Sequence, residues 1–235
     1  WVKQVACPGC ATPIDLFSSY IFAKHAYPAK YPASQSVCPR CGAINEVSFD
    51  ATAAKCHSCR QKFDPQNGPA RGQKAHCDQC NDDFLIAKAV RTTGTPPAHR
   101  LYAKLVLTPD GKKVYLPSDH SDHAIFDEAA SALSKRCDAY PVVRIEEGFN
   151  TNQVLRYNYR HWHDMFNARQ LYCLSILADR IRQVPDPALR ELMTCLLSGT
   201  LEFNNMFASY KGEGTGAVRH MFSHHILKPE RTPLE

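Results

Sequence analysis

The sequence predicts an α+β protein: small cysteine-rich β ribbons come first, followed by a β-hairpin and then a mainly helical segment. Three observations lead to this fold class. Four Cys-x-x-Cys pairs lie within the first 80 residues, and a Pro-Asp-Gly turn between two apolar, β-prone runs follows near residue 110. Beyond residue 160, apolar residues recur at helical spacing.

Eight of the eleven cysteines share the same two-residue spacer. They are Cys7 and Cys10, Cys38 and Cys41, Cys56 and Cys59, and Cys77 and Cys80. This spacer lets both thiolates of a pair bind one zinc ion at about 2.3 Å, and four thiolates complete a tetrahedron. The sequence therefore predicts tandem four-cysteine zinc ribbons with two structural zinc ions. A four-cysteine site leaves no position for water, so we expect neither ion to be catalytic.

The gaps between the cysteine pairs allow two ways of sharing the ions. Residues 60–76 separate Cys59 from Cys77, a gap inside the window of about 15–20 residues usual for a four-cysteine site. A sequential scheme joins the third pair to the fourth and the first to the second. A nested scheme joins the second pair to the third and the first to the fourth. The sequential scheme is favoured because each ribbon then closes its own short loop.

Disulfides and redox-active pairs are the other interpretations of paired cysteines. Disulfides need an oxidising compartment, and no secretory signal precedes the cysteines here. A redox motif normally occurs once, beside a βαβ unit. We therefore expect reduced, zinc-bound cysteines in the cytoplasm. No apolar run approaches the roughly 18 residues of a membrane span, so no membrane partner is expected.

The charge is less informative than the cysteines. The chain has 235 residues, of which 44% are hydrophobic and 22% charged, as in ordinary globular proteins. The formal net charge of +5 counts thiols as neutral. Each four-thiolate zinc site has a net charge of −2, which reduces the total to about +1. Overall charge thus does not by itself indicate nucleic-acid binding. The ends at Trp1 and Glu235 suggest a piece of a longer protein.

Three regions are expected. They are a tandem zinc-ribbon region over 1–92, a linker, β-hairpin and helix over 93–150, and a helical segment with a Gly-rich loop and a basic, His-rich end over 151–235. The β-prone pieces are 14–22, 43–49 and 84–90, then the hairpin strands 101–107 and 114–116, and a strand at 141–145. The predicted helices cover about 122–136, a stretch capped by Asn167, and a stretch capped by Asp186 that ends near Gly199.

Apolar spacing also predicts which residues these helices bury. In the helix capped by Asp186, the expected apolar face is Leu189, Leu192, Met193, Leu196 and Leu197. The remaining cysteines, Cys137, Cys173 and Cys195, are too scattered for a ligand set and are interpreted as small core residues.

The C-terminal part contains the candidate nucleic-acid contacts. These are Lys211, Arg219, Lys228 and Arg231, beside the glycine-rich segment 211–216. That segment lacks the preceding strand and the Gly-Lys-Ser/Thr ending of a phosphate loop, so a mobile loop is favoured over a phosphate site. Residues 157–163 mix aromatic and basic groups, which suits either a nucleic-acid surface or a helix start packing into a core. Neither a third metal site at His220, His224 and His225 nor a catalytic constellation is supported.

Several segments resemble one known family. The Cys-Pro-x-Cys ribbons are followed by matching stretches at 67–72, 97–106, 166–171, 201–207 and 212–235. Together these are similar to the zinc-ribbon-containing, adenine-specific DNA methylases of bacterial and archaeal restriction or defence loci. The resemblance covers nearly the whole chain, and 212–235 is its most specific part.

The resemblance implies methyl transfer from S-adenosylmethionine to the exocyclic amine of an adenine flipped out of DNA. In that family the cofactor motif lies before the zinc insert and an Asp-Pro-Pro-Tyr motif follows it; this sequence contains neither. The expectation is therefore an insert whose ribbons and helices position DNA for the rest of the methyltransferase chain, with S-adenosylmethionine bound only by the full-length enzyme. The alternative is a non-catalytic zinc-ribbon adaptor that binds nucleic acid or protein.

Overall fold

Short antiparallel strands fill the first half of the chain, and helices fill the second. The computed structural model describes residues 1–210, 212–215, 217–222 and 229. They fall into two units. Unit 1 contains Trp1–Asp119 and the described residues of Tyr210–Ala217; unit 2 contains His120–Ser209 and the described residues of Val218–Pro229. The predicted mixture of small β-sheets, helices and two four-cysteine clusters is confirmed.

Unit 1 is built from small antiparallel sheets. Its strands are β1 Val2–Ala6, β2 Pro13–Asp15, β3 Ile21–Phe22, β4 Ala33–Val37, β5 Ile44–Ser48, β6 Ala54–Lys55, β7 Lys62–Phe63, β8 Ala70–Arg71, β9 Lys74–Cys77, β10 Asp82–Leu85, β11 Ala98–Arg100, β12 Ala103–Leu107 and β13 Lys113–Pro117. Three sheets have the strand orders β11-β1-β2, β3-β4-β5 and β8-β9-β10, and β6-β7 and β12-β13 are hairpins. The predicted hairpin around Gly111 is β12-β13, with Leu105 opposite Tyr115.

One helix in unit 1 was predicted as strand. Residues 84–90 were expected to be β-structure, but β10 ends at Leu85 and α1 runs over Ile86–Thr93. Ile86, Ala89 and Val90 are its buried residues, at the i, i+3, i+4 spacing of one helix face. Gly94 ends the helix in the left-handed conformation, with φ 72°.

An aromatic cluster forms the core of unit 1. Phe17 and Phe22 make edge-to-face contacts with Tyr102, with ring centroids 5.0 and 5.4 Å apart. Val2 and Val37 from β1 and β4 are buried in the same cluster. Such aromatic pairs add about 0.5–1.5 kcal/mol beyond their area burial. Phe17, Phe22 and Tyr102 therefore pack against one another inside unit 1.

Unit 2 is mainly helical. Its helices are α2 His120–Ser134, α3 Asn152–Leu155, a 3-10 turn at Trp162–Met165, α4 Ala168–Arg182 and α5 Pro187–Phe203. The short strands β14 Ser209–Tyr210 and β15 Val218–Arg219 follow. The strand expected at 141–145 is absent from the described structure, where Arg144 makes only an isolated bridge to His161.

Both predicted helix caps are confirmed. The Asn167 side chain accepts a hydrogen bond from the Gln170 backbone N–H at 2.9 Å, and the Gln170 Oε1 accepts one from the Asn167 backbone N–H at 3.0 Å. The Asp186 carboxylate accepts from the Leu189 backbone N–H at 3.1 Å, and Pro187 occupies the first position of α5.

The surface of α5 differs from the prediction. The helix continues past Gly199 to Phe203, because a glycine inside a helix costs only about 1 kcal/mol. No residue of α5 is buried, and Leu192 and Leu196 are 68% and 64% exposed. Cys137, Cys173 and Cys195 are also exposed, so their interpretation as core residues is wrong. Among the described residues, no helix combines the length and apolarity needed to cross a bilayer.

Candidate metal centres

Two four-cysteine clusters lie in unit 1. The outer cluster consists of Cys7, Cys10, Cys77 and Cys80, and the inner cluster of Cys38, Cys41, Cys56 and Cys59. Within each, the four Sγ atoms lie within 4.8 Å of one another. The shortest Sγ–Sγ distances are 3.5 and 3.6 Å in the outer cluster and 3.6 Å twice in the inner one. Four sulfurs about 2.3 Å from a tetrahedral zinc lie about 3.8 Å apart, so each cluster can hold one zinc ion.

The clusters follow the nested scheme, and the sequential pairing predicted from the gaps is wrong. The preference for short loops is outweighed by packing between distant segments. The fourth cysteine pair leads through β10 directly into α1, and α1 contacts β1, the strand that precedes the first pair. Ile86 and Val90 are buried, which holds α1 in place in unit 1. Because α1 follows the fourth cysteine pair and contacts the strand before the first pair, Cys77 lies close to Cys10, although the two are 67 residues apart in the sequence.

The inner cluster is held by two hairpins. Cys38 and Cys41 lie in the connection between β4 and β5, and Cys56 and Cys59 lie between β6 and β7. The side chain of Asn45 in β5 joins the two hairpins. Its Oδ1 accepts from the backbone N–H of His57 at 2.9 Å and lies 3.0 Å from the His57 Nδ1. The ligands of this cluster are thus positioned by backbone and side-chain hydrogen bonds.

All four cysteine pairs adopt the same turn. The residue after the second cysteine is in the left-handed region each time: Ala11, Gly42, Arg60 and Asn81 have φ 60°, 73°, 63° and 57°. Its backbone N–H donates to the carbonyl of the first cysteine at 2.8–3.1 Å. Only Gly42 adopts this conformation without steric cost. The other three residues are strained by roughly 1–2 kcal/mol, and bound metal would offset such strain.

Neighbouring thiols in the outer cluster influence one another's ionisation. Hydrogen bonds with Thr12 lower the pKa of the Cys10 thiol to about 6. Hydrogen bonds with Cys10 and Cys7 raise the pKa of Cys80 to about 12. In the inner cluster, burial raises the pKa of Cys38 to about 12. A divalent cation must displace the remaining protons, so metal binding releases protons.

Four exposed cations lie close in sequence to the cysteines of the inner cluster. Arg40 lies inside the second cysteine pair, Arg60 directly follows the third pair, and Lys55 is paired with Lys62 on the adjoining β6-β7 hairpin. All four side chains belong to exposed residues, and none forms an ion pair with another described residue. We call Arg40, Lys55, Arg60 and Lys62 the basic rim. The sequence analysis missed it, although adjacency to the cysteines was the available signal.

The predicted nucleic-acid contacts are only partly covered by the structure. Arg219 is exposed on β15. Lys211, Lys228 and Arg231 lie outside the described residues, as do His224 and His225. His220 packs its ring against Phe203, with centroids 5.8 Å apart, and its Nδ1 lies 3.8 Å from the Glu202 carboxylate.

The described part of the glycine-rich segment is docked on unit 1. Glu213 donates its backbone N–H to Lys24 and accepts from Ala26, both at 2.9 Å. Burial alone would raise the pKa of the Glu213 carboxyl, but hydrogen bonds from Lys113 and Tyr115 outweigh it and the pKa is lowered. A Cβ at Gly214 would lie 2.1 Å from the His25 ring. Glu213 and Gly214 thus contact unit 1, and the mobile loop stays a prediction.

The aromatic and basic stretch 157–163 is largely packed. Tyr157 and Tyr159 are buried, and Trp162 contacts Phe222 with ring centroids 6.4 Å apart. The packing alternative, a helix start that buries Trp162 and Phe166, holds only in part, because both residues are half-buried. The same stretch brings two histidines beside Asp164, a grouping that the sequence analysis did not consider.

Comparison of the chain with protein-family models, with curated proteins and with solved structures found no match.

Proposed function

We propose that this chain is the DNA-positioning insert of an S-adenosylmethionine-dependent DNA adenine methyltransferase, with zinc in both cysteine clusters. Methyl transfer is assigned to motifs outside these residues, so S-adenosylmethionine is a cofactor only of the complete enzyme. The partners are DNA and the rest of the methyltransferase chain, in the cytoplasm. The observation that carries the proposal is the basic rim beside the inner cluster, together with the family resemblance of the sequence.

The zinc ions have a structural role in this proposal. Four thiolates complete the tetrahedron in each cluster and leave no position for water or substrate. The ions instead cross-link strands that share little apolar surface, as metals do in small domains. The inner ion fixes the two hairpins that present the basic rim, so the cations are held in place before DNA arrives.

DNA binding by the rim would be electrostatic and would not read sequence directly. Arginine and lysine bind phosphate oxygens and set the orientation of a protein on the duplex. Each neutralised phosphate contributes about 0.9 to the slope of log affinity against log salt concentration. Four rim contacts therefore correspond to a slope of about 3.6. The inner zinc site, with its four thiolates and net charge of −2, offsets part of the attraction between the basic rim and DNA phosphates.

The test is a DNA-binding titration of the zinc-loaded chain at several salt concentrations, using a fluorescently labelled duplex that contains adenine. We expect the variant Arg40→Gln/Lys55→Gln/Arg60→Gln/Lys62→Gln to lose about 3–4 from the salt slope. The control is Lys88→Gln/Arg91→Gln on α1, which removes two exposed cations outside the basic rim and should leave the slope nearly unchanged.

A second variant examines the contacts expected at the C-terminal end. Arg219→Gln/Lys228→Gln/Arg231→Gln should weaken DNA binding and flatten its salt dependence by about 2–3. If the rim variant and this variant both bind DNA as the wild type does, the chain does not position DNA through these cations and the proposal fails.

A non-catalytic adaptor is the second candidate function, and the exposed apolar face of α5 favours it. Leu189, Leu192 and Leu196 lie on this face, at the i, i+3, i+7 spacing used by helices that dock on a partner. The neighbouring coding sequence separates the two functions. A glycine-rich cofactor motif upstream and Asp-Pro-Pro-Tyr downstream would identify the methyltransferase, and their absence would favour the adaptor.

A further inference from the structure

We propose that His161, His163 and Asp164 form a third metal site, in unit 2, for a first-row divalent transition-metal ion such as zinc. One ligand atom from each of these residues lies within 4.8 Å of the others. Two imidazoles and one carboxylate are a donor set for zinc and its neighbours, whereas calcium and magnesium prefer oxygen ligands alone. The site is independent of the cysteine clusters and of the DNA-binding proposal.

One distance within the cluster matches that between two ligands of one ion, and the other is longer. The His163 Nε2 lies 3.4 Å from the Asp164 Oδ1, and the His161 Nδ1 lies 3.9 Å from the Asp164 Oδ2. Ligands about 2.0–2.1 Å from a tetrahedral zinc are about 3.3 Å apart. The His161 side chain already accepts a hydrogen bond from the Asp164 backbone N–H, so to join the other two ligands on one ion it would have to release this bond or bind through its other ring nitrogen.

The carboxylate is already fixed in position. The Asp164 Oδ2 accepts hydrogen bonds from the backbone N–H groups of Arg160 at 2.7 Å and His161 at 2.8 Å. This leaves the Oδ1, the oxygen nearer to His163, for a metal. The surrounding backbone is held as well, since Ile145 donates to the Arg160 carbonyl at 2.9 Å and Trp162 donates to the Val143 carbonyl at 3.1 Å.

The imidazole rings of His161 and His163 are stacked. Their ring centroids are 5.0 Å apart and their planes differ by 11°. The His163 Nδ1 is buried and has no hydrogen-bond partner among the residues that the structure describes. The ring is held by its contact with Tyr140, whose ring centroid lies 4.9 Å away, and its Nε2 faces the Asp164 carboxylate.

The site differs in kind from the cysteine clusters. It offers three protein ligands, and the fourth tetrahedral position is open to water or an external ligand, as in zinc sites that exchange a ligand. The side chains of His161, His163 and Asp164 are 32%, 21% and 20% exposed, so an ion can reach them from solvent.

The test is a zinc titration of the full chain, followed by removal of free metal and quantification of bound zinc. The wild type should bind three equivalents, the third more weakly than the other two. The variant Asp164→Asn should bind two, since its amide oxygen keeps the backbone hydrogen bonds but the anionic ligand is lost. His161→Gln/His163→Gln should also bind two. His220→Gln, a matched histidine in the same unit, should still bind three.

Cobalt gives an independent measurement on the same proteins. The first two equivalents bound to thiolates produce intense charge-transfer absorption, and the third should add only weak ligand-field bands. Circular dichroism verifies that the variants retain helical structure. A wild type that binds only two equivalents at high zinc, or a third equivalent that persists in both Asp164→Asn and the double histidine variant, would overturn the proposal.

Discussion

The nested pairing of the cysteines makes a prediction that zinc stoichiometry can decide. Replacing Cys10 and Cys77 by serine removes two ligands from the outer cluster only, so one zinc ion should remain in the cysteine sites. Replacing Cys10 and Cys41 removes one ligand from each cluster, so neither cluster should retain its ion when a chelator competes. Under sequential pairing these two results would be exchanged, because Cys10 and Cys41 would then share an ion.

The structure also predicts which cluster contributes more to the free energy of unfolding of unit 1. The outer cluster joins cysteines 67 residues apart, and the inner cluster joins cysteines 15 apart. The entropic cost of closing a loop of n residues grows as (3/2)RT ln n. Closing the longer loop in the unfolded chain therefore costs about 1.3 kcal/mol more than closing the shorter one. Cys10→Ser should therefore destabilise unit 1 by about 1 kcal/mol more than Cys41→Ser, other contributions being equal.

The assay combines metal quantification after chelator competition with urea unfolding of each variant. Cys137→Ser is the matched control, because Cys137 is an exposed cysteine outside both clusters and its loss should leave two ions in the cysteine sites. One ion retained by Cys10→Ser/Cys41→Ser, with none retained by Cys10→Ser/Cys77→Ser, would refute the nested arrangement.

Two further predictions concern stability. Gly68→Ala should destabilise unit 1 by about 1–3 kcal/mol or more, because its Cβ would lie 2.0 Å from the Phe17 carbonyl oxygen. Gly199→Ala, inside α5, should instead stabilise its helix by about 0.5–1 kcal/mol, because the added Cβ meets no atom within 4 Å. Urea unfolding measures both, and equal effects of the two substitutions would contradict the packing around Gly68. Zinc removal by a strong chelator should unfold residues 1–90 while the helices after residue 160 persist. Limited proteolysis and circular dichroism test this. A ribbon region that stays protease-resistant after chelation would contradict it.

Local features were predictable from the sequence because they depend on a few adjacent residues. The eight cysteine ligands follow from the two-residue spacer, and Gly42 follows from the left-handed turn after a pair. The β12-β13 hairpin follows from its turn residues, and the caps at Asn167 and Asp186 follow from side chains that satisfy helix N–H groups.

Features that depend on distant contacts were not predictable in this way. Residues 86–93 form a helix because Ile86 and Val90 are buried in unit 1, although their side chains are β-prone. The spacing of Leu192 and Leu196 indicated a buried face, but spacing does not say whether a partner surface exists. The grouping of His161, His163 and Asp164 needed the 3-10 turn at Trp162–Met165.

The sequence by itself therefore determined which side chains can bind metal, since the chemistry of cysteine and its spacing is local. Only the tertiary structure decided which cysteines share an ion. A gap of suitable length permits a pairing, but the burial of α1 and β1 selects the nested one. The free energy gained by burying apolar surface between distant segments exceeds the roughly 1 kcal/mol of loop entropy that favours the shorter loops.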